Sequence, residues 1–190
     1  MRDKTIIYGL CGSFCSFEKS LKQLRELVQR GARVIPALSF NAGSLDTRFG
    51  TAASIRERLR EITGNEIIDT IQAAEPVGPK HLCDLVIVSP CTGNTLAKLA
   101  LGITDTPITM LCKSHLRCGR PVLLALSSND GLSASAQNLG RLLNTKNYYF
   151  VPMAQDNWLK KPTSLAADFD QLPDAAELAL RGRQIQPVFF

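Results

Sequence analysis

Short apolar runs rich in β-branched residues alternate along the chain with longer segments in which apolar residues recur every three or four positions. The run at 85–88 contains no polar residue, and such continuous apolar runs are typical of strands covered on both faces of a sheet. The pattern predicts five strands, at residues 5–10, 33–38, 85–88, 121–126 and 148–151.

The longer segments have the periodicity of amphipathic helices. The first of them places four apolar residues on one helical face, at Phe17, Leu21, Leu24 and Val28. Ser54 and Glu57 match a capping box, so another helix is predicted to begin there and to end before Gly64. The prolines of segment 75–79 are predicted to break a helix. The predicted helices cover residues 17–28, 54–62, 67–74, 95–101, 106–116, 133–143 and 174–181.

Alternation of strands and helices implies right-handed crossovers. We therefore predict an α/β fold with a single doubly wound, mainly parallel sheet flanked by helices, in one Rossmann-like domain over residues 1–190. Ligands of such sheets bind beyond the carboxyl ends of the strands, near the point where the strand order reverses. The loops expected to carry chemistry are 9–16, 39–43, 89–95 and 127–131.

The charge pattern argues against nucleic acid as a partner, although the chain carries a net charge of +5. Its densest basic group, Arg56, Arg58 and Arg60, alternates with Glu57 and Glu61, as on a solvated helix face. No apolar stretch reaches the length of a membrane span, and the first residues lack the long apolar core of a signal peptide. We expect a cytoplasmic protein whose six cysteines are reduced.

A glycine-containing turn, Gly9–Ser13, joins the first strand to the first helix. Gly9 and Gly12 would let the backbone approach a ligand, and the Ser13 hydroxyl could bind a phosphate. The turn matches neither the Gly-x-Gly-x-x-Gly pattern nor a Walker motif, so a plain strand–helix turn is the alternative. Ser39, at the end of the second strand, is either a second phosphate donor or an ordinary turn residue.

The most informative segment follows the third strand and begins at Pro90. Taken alone, it is a polar loop in which Asn94 or Thr95 caps a helix. It also resembles the motif of the flavin-containing cysteine decarboxylase superfamily, Pro-x-[Ser/Thr]-[Ala/Gly]-Asn-Thr-x-Ala-Lys-x-Ala-x-Gly-Ile-x-Asp, and the resemblance extends over roughly residues 4–145. The matching positions are Pro90, Thr92, Gly93, Asn94, Thr95, Ala97, Lys98, Ala100, Gly102, Ile103 and Asp105.

The resemblance implies a flavoprotein-like domain that binds FMN and assembles as a homo-oligomer, a trimer or larger. The first loop of this chain, Gly9–Ser13, would bind the FMN phosphate together with Ser39, while Asn94 and Thr95 would lie close to the isoalloxazine ring. The cofactor-binding residues expected on this basis are Gly9, Gly12, Ser13, Ser39, Pro90, Thr92, Asn94, Thr95, Ser127 and Ser128.

Two departures from the decarboxylases are visible. Their histidine, about fourteen residues before the motif proline, is replaced by Pro76, and His81 lies off register. Their Pro-x-Met-Asn motif, which grips the substrate carboxylate, is replaced by segment 125–130. The Ser127–Ser128 pair is shared with flavin prenyltransferases, which lack the Asn-Thr motif. A flavin-dependent decarboxylase of cysteine-type substrates is therefore the alternative function.

The pattern is most similar to a third branch, the B subunits of dipicolinate synthase, which open with Gly-Leu-Cys-Gly-Ser-Phe-Cys as residues 9–15 do here. That resemblance implies oxidation of dihydrodipicolinate to pyridine-2,6-dicarboxylate together with an A subunit, in the mother-cell cytoplasm during sporulation. Two interpretations stay open: an enzyme subunit with a flavin, or a non-catalytic partner of an A subunit that supplies the nicotinamide. No catalytic residue is assigned; Glu75 and Asp130 are the nearby carboxylates.

The remaining cysteines and one histidine give weaker predictions. Cys112, His115 and Cys118 are spaced three apart, so on a helix the first two share a face and the third drifts off it. No fourth ligand is evident, and we predict no metal site. Cys11 and Cys15 lie near a helix N-terminus, which would lower a thiol pKa. The alternative is that they are small residues packed beneath the ligand.

Three cations are candidates to attract a dicarboxylate. Lys98, Lys113 and Arg117 would serve if they face the pocket, and otherwise lie on solvated helix faces. Segment 158–161 contains a tryptophan and two lysines and is predicted to border the pocket or an interface between copies. The apolar tail at 184–190 is predicted to pack on another subunit.

Overall fold

The five predicted strands form the parallel part of one sheet in the computed structural model, which describes residues 1–190. Their order is β2-β1-β3-β4-β5, so the order reverses between β1 and β3. The predicted fold class is confirmed. The bounds are β1 (Thr5–Leu10), β2 (Arg33–Leu38), β3 (Leu85–Cys91), β4 (Val122–Ser128) and β5 (Tyr148–Phe150).

Eight helices flank the sheet, and none is long and apolar enough to cross a membrane. Three short 3-10 turns lie at 14–16, 75–77 and 169–171. The helices are α1 (Phe17–Gln29), α2 (Phe40–Ser44), α3 (Ala52–Thr63), α4 (Ile71–Ala74), α5 (Gly93–Leu101), α6 (Pro107–Leu116), α7 (Ala136–Leu143) and α8 (Leu172–Leu180).

Two apolar cores lie on opposite faces of the sheet. Ile6 and Tyr8 of β1 point into the core formed with α1, α3 and α8, whereas Ile7 points into the core formed with α5, α6 and α7. Neighbouring residues of one strand are therefore both fully buried. This explains why the strand sequences show no alternation of apolar and polar residues.

Helix caps correct two predictions about local structure. The predicted loop at 39–43 contains the single-turn helix α2, because the Ser39 side chain accepts a hydrogen bond from Ala42 N (3.3 Å). The predicted capping box at Ser54 is wrong. Helix α3 begins at Ala52, and Thr51 caps it by accepting from Ser54 N (3.1 Å).

The helix predicted at 67–74 forms only from Ile71 onward. Before it, Ile68 pairs with the edge of the sheet, donating its N–H to Pro36 O (2.9 Å). The α-helix ends at Ala74, as predicted from the prolines of segment 75–79, and the chain continues as a 3-10 turn at 75–77. Proline is tolerated there because the first turn of a helix leaves N–H groups unpaired anyway.

A short antiparallel hairpin that the sequence did not predict covers the end of β4. It consists of β6 (Met153–Ala154) and β7 (Leu165–Ala167), and β7 pairs with β4 so that Ser128 lies opposite Leu165. We call residues 153–167 the flap. It brings the segment between β6 and β7 to the carboxyl end of the parallel sheet.

The apolar tail at 184–190 packs against its own chain rather than extending freely. Val188 O accepts a hydrogen bond from Met153 N (2.9 Å), and Phe189 lies opposite Met153 in a parallel bridge. Gln184 accepts from and donates to the backbone of β5. The structure thus places the tail on the flap of the same chain, where contact with a second copy was predicted.

Candidate functional site

A polar cleft of about 410 Å³ opens at the carboxyl ends of β1 and β3, where the strand order reverses. This volume is within the usual range for small-molecule sites. Five of the residues predicted to bind a cofactor line it: Gly12, Ser39, Thr92, Asn94 and Thr95. The cleft is also lined by five residues that were not predicted to bind a cofactor: Phe40, Asn41, Lys98, Asp105 and Thr106.

Two donors in this switch-point cleft are free to bind an anion. The Gly12 N–H makes no hydrogen bond within the chain, whereas the N–H groups of its neighbours Cys11 and Ser13 both donate to backbone oxygens. The Ser39 hydroxyl accepts from Ala42 N, which leaves its own proton available. Free backbone N–H groups and free hydroxyls are donors that bind phosphate oxygens.

The helix that forms one wall, α5, is capped by Thr92 and not by Asn94 or Thr95. Thr92 Oγ1 accepts from Thr95 N (3.2 Å), and Thr95 Oγ1 donates to Cys11 Sγ (3.3 Å). Thr95 is nearly buried by these contacts. The exposed Asn94 side chain has no hydrogen-bond partner in the chain, so its amide can contact a ligand.

An ion pair closes the far side of the cleft. Lys98 Nζ lies 2.8 Å from both carboxylate oxygens of Asp105. The hydrogen bond from Lys98 is the main cause that lowers the pKa of Asp105. Lys113 and Arg117 line a separate groove with Tyr148 and do not reach the cleft. The three candidate cations therefore add no unpaired positive charge there.

Three further predicted residues lie in a second depression, of about 290 Å³, which we call the serine pocket. Ser13 and Ser127 line it with their hydroxyl oxygens 2.9 Å apart, and Ser128 lines it while donating to Asp130. Gly12 and Ser13 are neighbours in sequence, yet each lines a different depression. The residues predicted to bind a cofactor thus line two depressions, which meet at the turn that contains Gly12 and Ser13.

The last two predicted residues lie beneath these depressions and shape them. Gly9 is buried in β1, where a Cβ atom would lie 2.7 Å from Cδ1 of Ile108. Pro90 is buried at the end of β3, and its carbonyl accepts from Cys11 N (3.2 Å). Gly9 therefore permits α6 to pack closely, and Pro90 holds the first loop against β3.

The buried cysteines near the site, Cys11 and Cys91, pack rather than react. Burial raises the pKa of the Cys11 thiol to about 11 and also raises that of Cys91. A protonated thiol is a poor nucleophile. Cys11 is therefore a small packing residue, as the alternative interpretation predicted. Cys15 is exposed beside the serine pocket.

A buried hydroxyl network beneath the first loop was not predicted. Tyr8 Oη lies 2.9 Å from both Ser20 O and Ser89 Oγ, and Ser20 Oγ donates to Ser89 O (2.7 Å). Burial raises the pKa of Tyr8 to about 12, so the phenol stays protonated. The network joins α1 to β1 and β3. A tyrosine and serines at otherwise apolar positions were its signal in the sequence.

The residues of the Cys112–Cys118 motif do not form a common site, and no group of three metal-ligating side chains converges in this structure. His115 is fully buried, with Nδ1 3.6 Å from Cys83 Sγ, and its Nε2 has no hydrogen-bond partner. Burial is the main cause that lowers the pKa of His115 to about 4.

This buried histidine predicts a loss of stability in acid. Because the pKa of His115 is lower in the folded chain than the ordinary value of 6.5, the unfolded chain takes up the proton first. Stability is then lost as the pH falls from about 6.5 to about 4. Between pH 7 and pH 4.5 the wild type should lose about 2 kcal/mol more than a His115→Gln variant, measured by urea unfolding.

The exposed His81 provides the control for this measurement. A His81→Asn variant should retain the pH dependence of the wild type, since the imidazole it removes is not buried. Equal acid sensitivity of the wild type and His115→Gln would contradict the assignment.

Comparisons with known proteins agree with one another. The family model named Flavoprotein matches residues 1–171. The B subunit of dipicolinate synthase from Bacillus subtilis (strain 168) is 44% identical over 188 residues, which cover 99% of this chain and 94% of the relative. The crystal structure of the dipicolinate synthase B subunit from Bacillus halodurans superposes with a TM-score of 0.91 at 41% identity, covering 100% of this chain and 97% of that one.

More distant structures share the fold. Burkholderia xenovorans DmrB, solved in complex with FMN, matches with a TM-score of 0.70 at 20% identity over 94% of this chain and 96% of that chain. At this level of identity the likeness concerns the arrangement of strands and helices alone.

Proposed function

The chain belongs to the Flavoprotein family, and we propose that it acts as the B subunit of a dipicolinate synthase, converting dihydrodipicolinate to pyridine-2,6-dicarboxylate together with an A subunit. The observation that carries this proposal is the 44% identity to the Bacillus subtilis protein over 99% of the chain. A polar cleft at the reversal of strand order, where this class of sheet binds its ligands, supports it.

FMN is the proposed cofactor, and the donors of the switch-point cleft fit it. The free Gly12 N–H and the Ser39 hydroxyl would hold the phosphate, and the unpaired Asn94 amide would face the ring. When bound, a flavin supplies an acceptor for the two electrons that leave a dihydropyridine as it becomes aromatic. The residues of this chain would bind and orient it.

The cleft offers no free group for acid–base chemistry. Its two charged residues, Lys98 and Asp105, are bound to each other. The chain has no Gly-x-Gly-x-x-Gly segment for a nicotinamide. Both observations favour a division of labour in which the two electrons finally pass to a nicotinamide cofactor that the A subunit supplies.

The experiment mixes the purified chain with the A subunit, the dihydropyridine substrate and a nicotinamide cofactor, and follows the absorbance of pyridine-2,6-dicarboxylate. Product should form only when both proteins are present. Full activity of the A subunit without this chain would make the chain dispensable and overturn the proposal. Full activity of this chain alone would refute the division of labour.

The FMN site can be tested by charge at Gly12. A Cβ there would meet its nearest neighbours at 3.5 Å, an ordinary contact, so side chains fit. Gly12→Asp should weaken FMN binding about 10-fold to 100-fold relative to Gly12→Asn, because a carboxylate repels the phosphate and the isosteric amide does not. Quenching of flavin fluorescence measures both affinities.

Riboflavin, which lacks the phosphate, is the matched control ligand. It should bind the two Gly12 variants equally. If the aspartate and asparagine variants bind FMN equally as well, the phosphate does not lie beside Gly12.

The proposal includes a homo-oligomer of three or more copies, acting in the mother-cell cytoplasm during sporulation. Phe40 lines the cleft and is 48% exposed, so a second copy would find an apolar side chain to cover there. A strictly monomeric mass in solution would contradict the assembly.

A further inference from the structure

The flap carries the most exposed large apolar side chain of the protein at its tip, residues 158–161, which we call the flap tip. Leu159 is 85% exposed and its neighbour Trp158 is 66% exposed. Of the twelve large apolar side chains that are exposed, five lie in the flap or in segments hydrogen-bonded to it: Leu132, Trp158, Leu159, Phe189 and Phe190. Apolar side chains left exposed together mark sites of contact with other proteins.

Hydrogen bonds hold the flap tip in place. Asn157 begins a turn in which its side-chain oxygen accepts from Lys160 N (3.0 Å) and its carbonyl accepts from Lys161 N (2.7 Å). The far side of the flap is joined to the segment after β4, where Leu132 N donates to Thr163 O (2.8 Å). The apolar pair is therefore displayed on an ordered turn, and a partner that binds it would not have to order a loop first.

Two lysines follow the apolar pair in the flap tip. Lys160 is exposed and makes a hydrogen bond only through its backbone N–H, so its ammonium group is unpaired. Lys161 Nζ lies 3.5 Å from a carboxylate oxygen of Asp156, which also accepts from Ser164. The complementary surface on a partner is an apolar recess with carboxylates at its rim.

The flap tip lies at the edge of the sheet where the two depressions open. Pairing of β7 with the end of β4 fixes the flap there, and Lys161 lines the serine pocket, which meets the switch-point cleft at the turn of Gly12 and Ser13. In the division of labour proposed above, the A subunit supplies the nicotinamide, and reacting atoms must approach to about 3–3.5 Å. The A subunit therefore has to reach this edge of the sheet.

We propose that the flap tip is the docking point of the A subunit, with Trp158 and Leu159 entering an apolar recess and Lys160 pairing with a carboxylate at its rim. This inference rests on the proposed function and adds the surface through which the partner binds. Tryptophan is prominent among the residues that dominate the binding energy of protein interfaces.

Trp158 is the single tryptophan of the chain and therefore reports on the docking directly. The full chain is labelled with 5-fluorotryptophan, and unlabelled A subunit is added. The one fluorine resonance should shift, and it should lose its sensitivity to a paramagnetic agent in the solvent. A change of this kind caused by pyridine-2,6-dicarboxylate without the A subunit would show closure over a ligand. The same change on raising the concentration of this chain alone would show contact with a second copy. Either result would overturn the proposal.

Titration calorimetry with the A subunit tests the side chains one by one. Trp158→Ala and Leu159→Ser should each weaken binding about 10-fold or more. Lys160→Glu should weaken binding mainly at low ionic strength, because rim charges are screened by salt. Leu82→Ser is the matched control and should bind as the wild type does, since Leu82 is an exposed leucine before β3, at the opposite edge of the sheet. All four side chains are exposed, so the variants should fold, and a thermal melt checks this.

The results separate this inference from the proposed function. If the two proteins together make product while the fluorine resonance stays unchanged, the proposed function stands and the flap tip is not the docking point. If the A subunit shifts the resonance and Leu159→Ser loses binding, but no product forms, the docking point stands and the function fails. Equal losses of affinity in the Leu82 and Leu159 variants would also overturn the proposal.

Discussion

Incubation of the purified chain with a peptide that ends in cysteine should release no carbon dioxide above background. Pro76 occupies the position of the histidine that the decarboxylases use, and neither histidine of the chain reaches the cleft. His81 lies at the amino end of β3, opposite to the cleft, and His115 is a buried residue of α6 that does not line the cleft. Loss of an acid–base group costs on the order of 10²–10⁴ in rate.

The assay follows release of carbon dioxide from this peptide and from phosphopantothenoylcysteine, with a flavin-containing cysteine decarboxylase as the positive control. Clear turnover by the isolated chain would contradict the prediction. It would mean that a group other than a histidine at position 76 performs the acid–base step.

Replacement of Gly78 by alanine should destabilise the fold by about 3 kcal/mol, the upper range for overpacking. A Cβ at this position would lie 1.8 Å from the backbone oxygen of Ser114, which cannot move without shifting α6. Two hydrogen bonds join this segment to α6, one from Gly78 N to Ser114 Oγ (2.9 Å) and one from Ser114 Oγ to Glu75 O (2.5 Å). Both would be lost as the segments separate.

Gly140→Ala is the control for the Gly78 variant. Gly140 lies inside α7, and a Cβ there would meet nothing within 4 Å. Alanine should therefore raise the stability by about 0.5–1 kcal/mol, because it lowers the entropy of the unfolded chain. Denaturant unfolding measures both free energies, and equal stabilities of the two variants would refute the close approach at Gly78.

The strands and long helices were predictable because their signals are local. Residues 5–10 and 33–38 are predicted and observed with the same bounds, since each strand is a mainly apolar run whose residues after the first are buried or half-buried in the sheet. The flap was not predictable. Its strands have two and three residues, and they form only because the end of β4 supplies their hydrogen-bond partners. Similarly, Ile68 is drawn into the sheet edge by Pro36, although its local pattern is helical.

The sequence by itself determined the α/β architecture, the loops that line the two depressions and the Pro90–Asp105 motif, because these depend on residue types and short spacings. Only the tertiary structure decided which side chains share a pocket. Ser13 and Ser127 are 114 positions apart, and they meet because β1 and β4 end at the same edge of the sheet. Gly12 and Ser13 diverge because a tight turn points neighbouring residues in different directions. Lys161 reaches the same pocket because pairing of β7 with β4 positions the flap, and no local pattern encodes that contact.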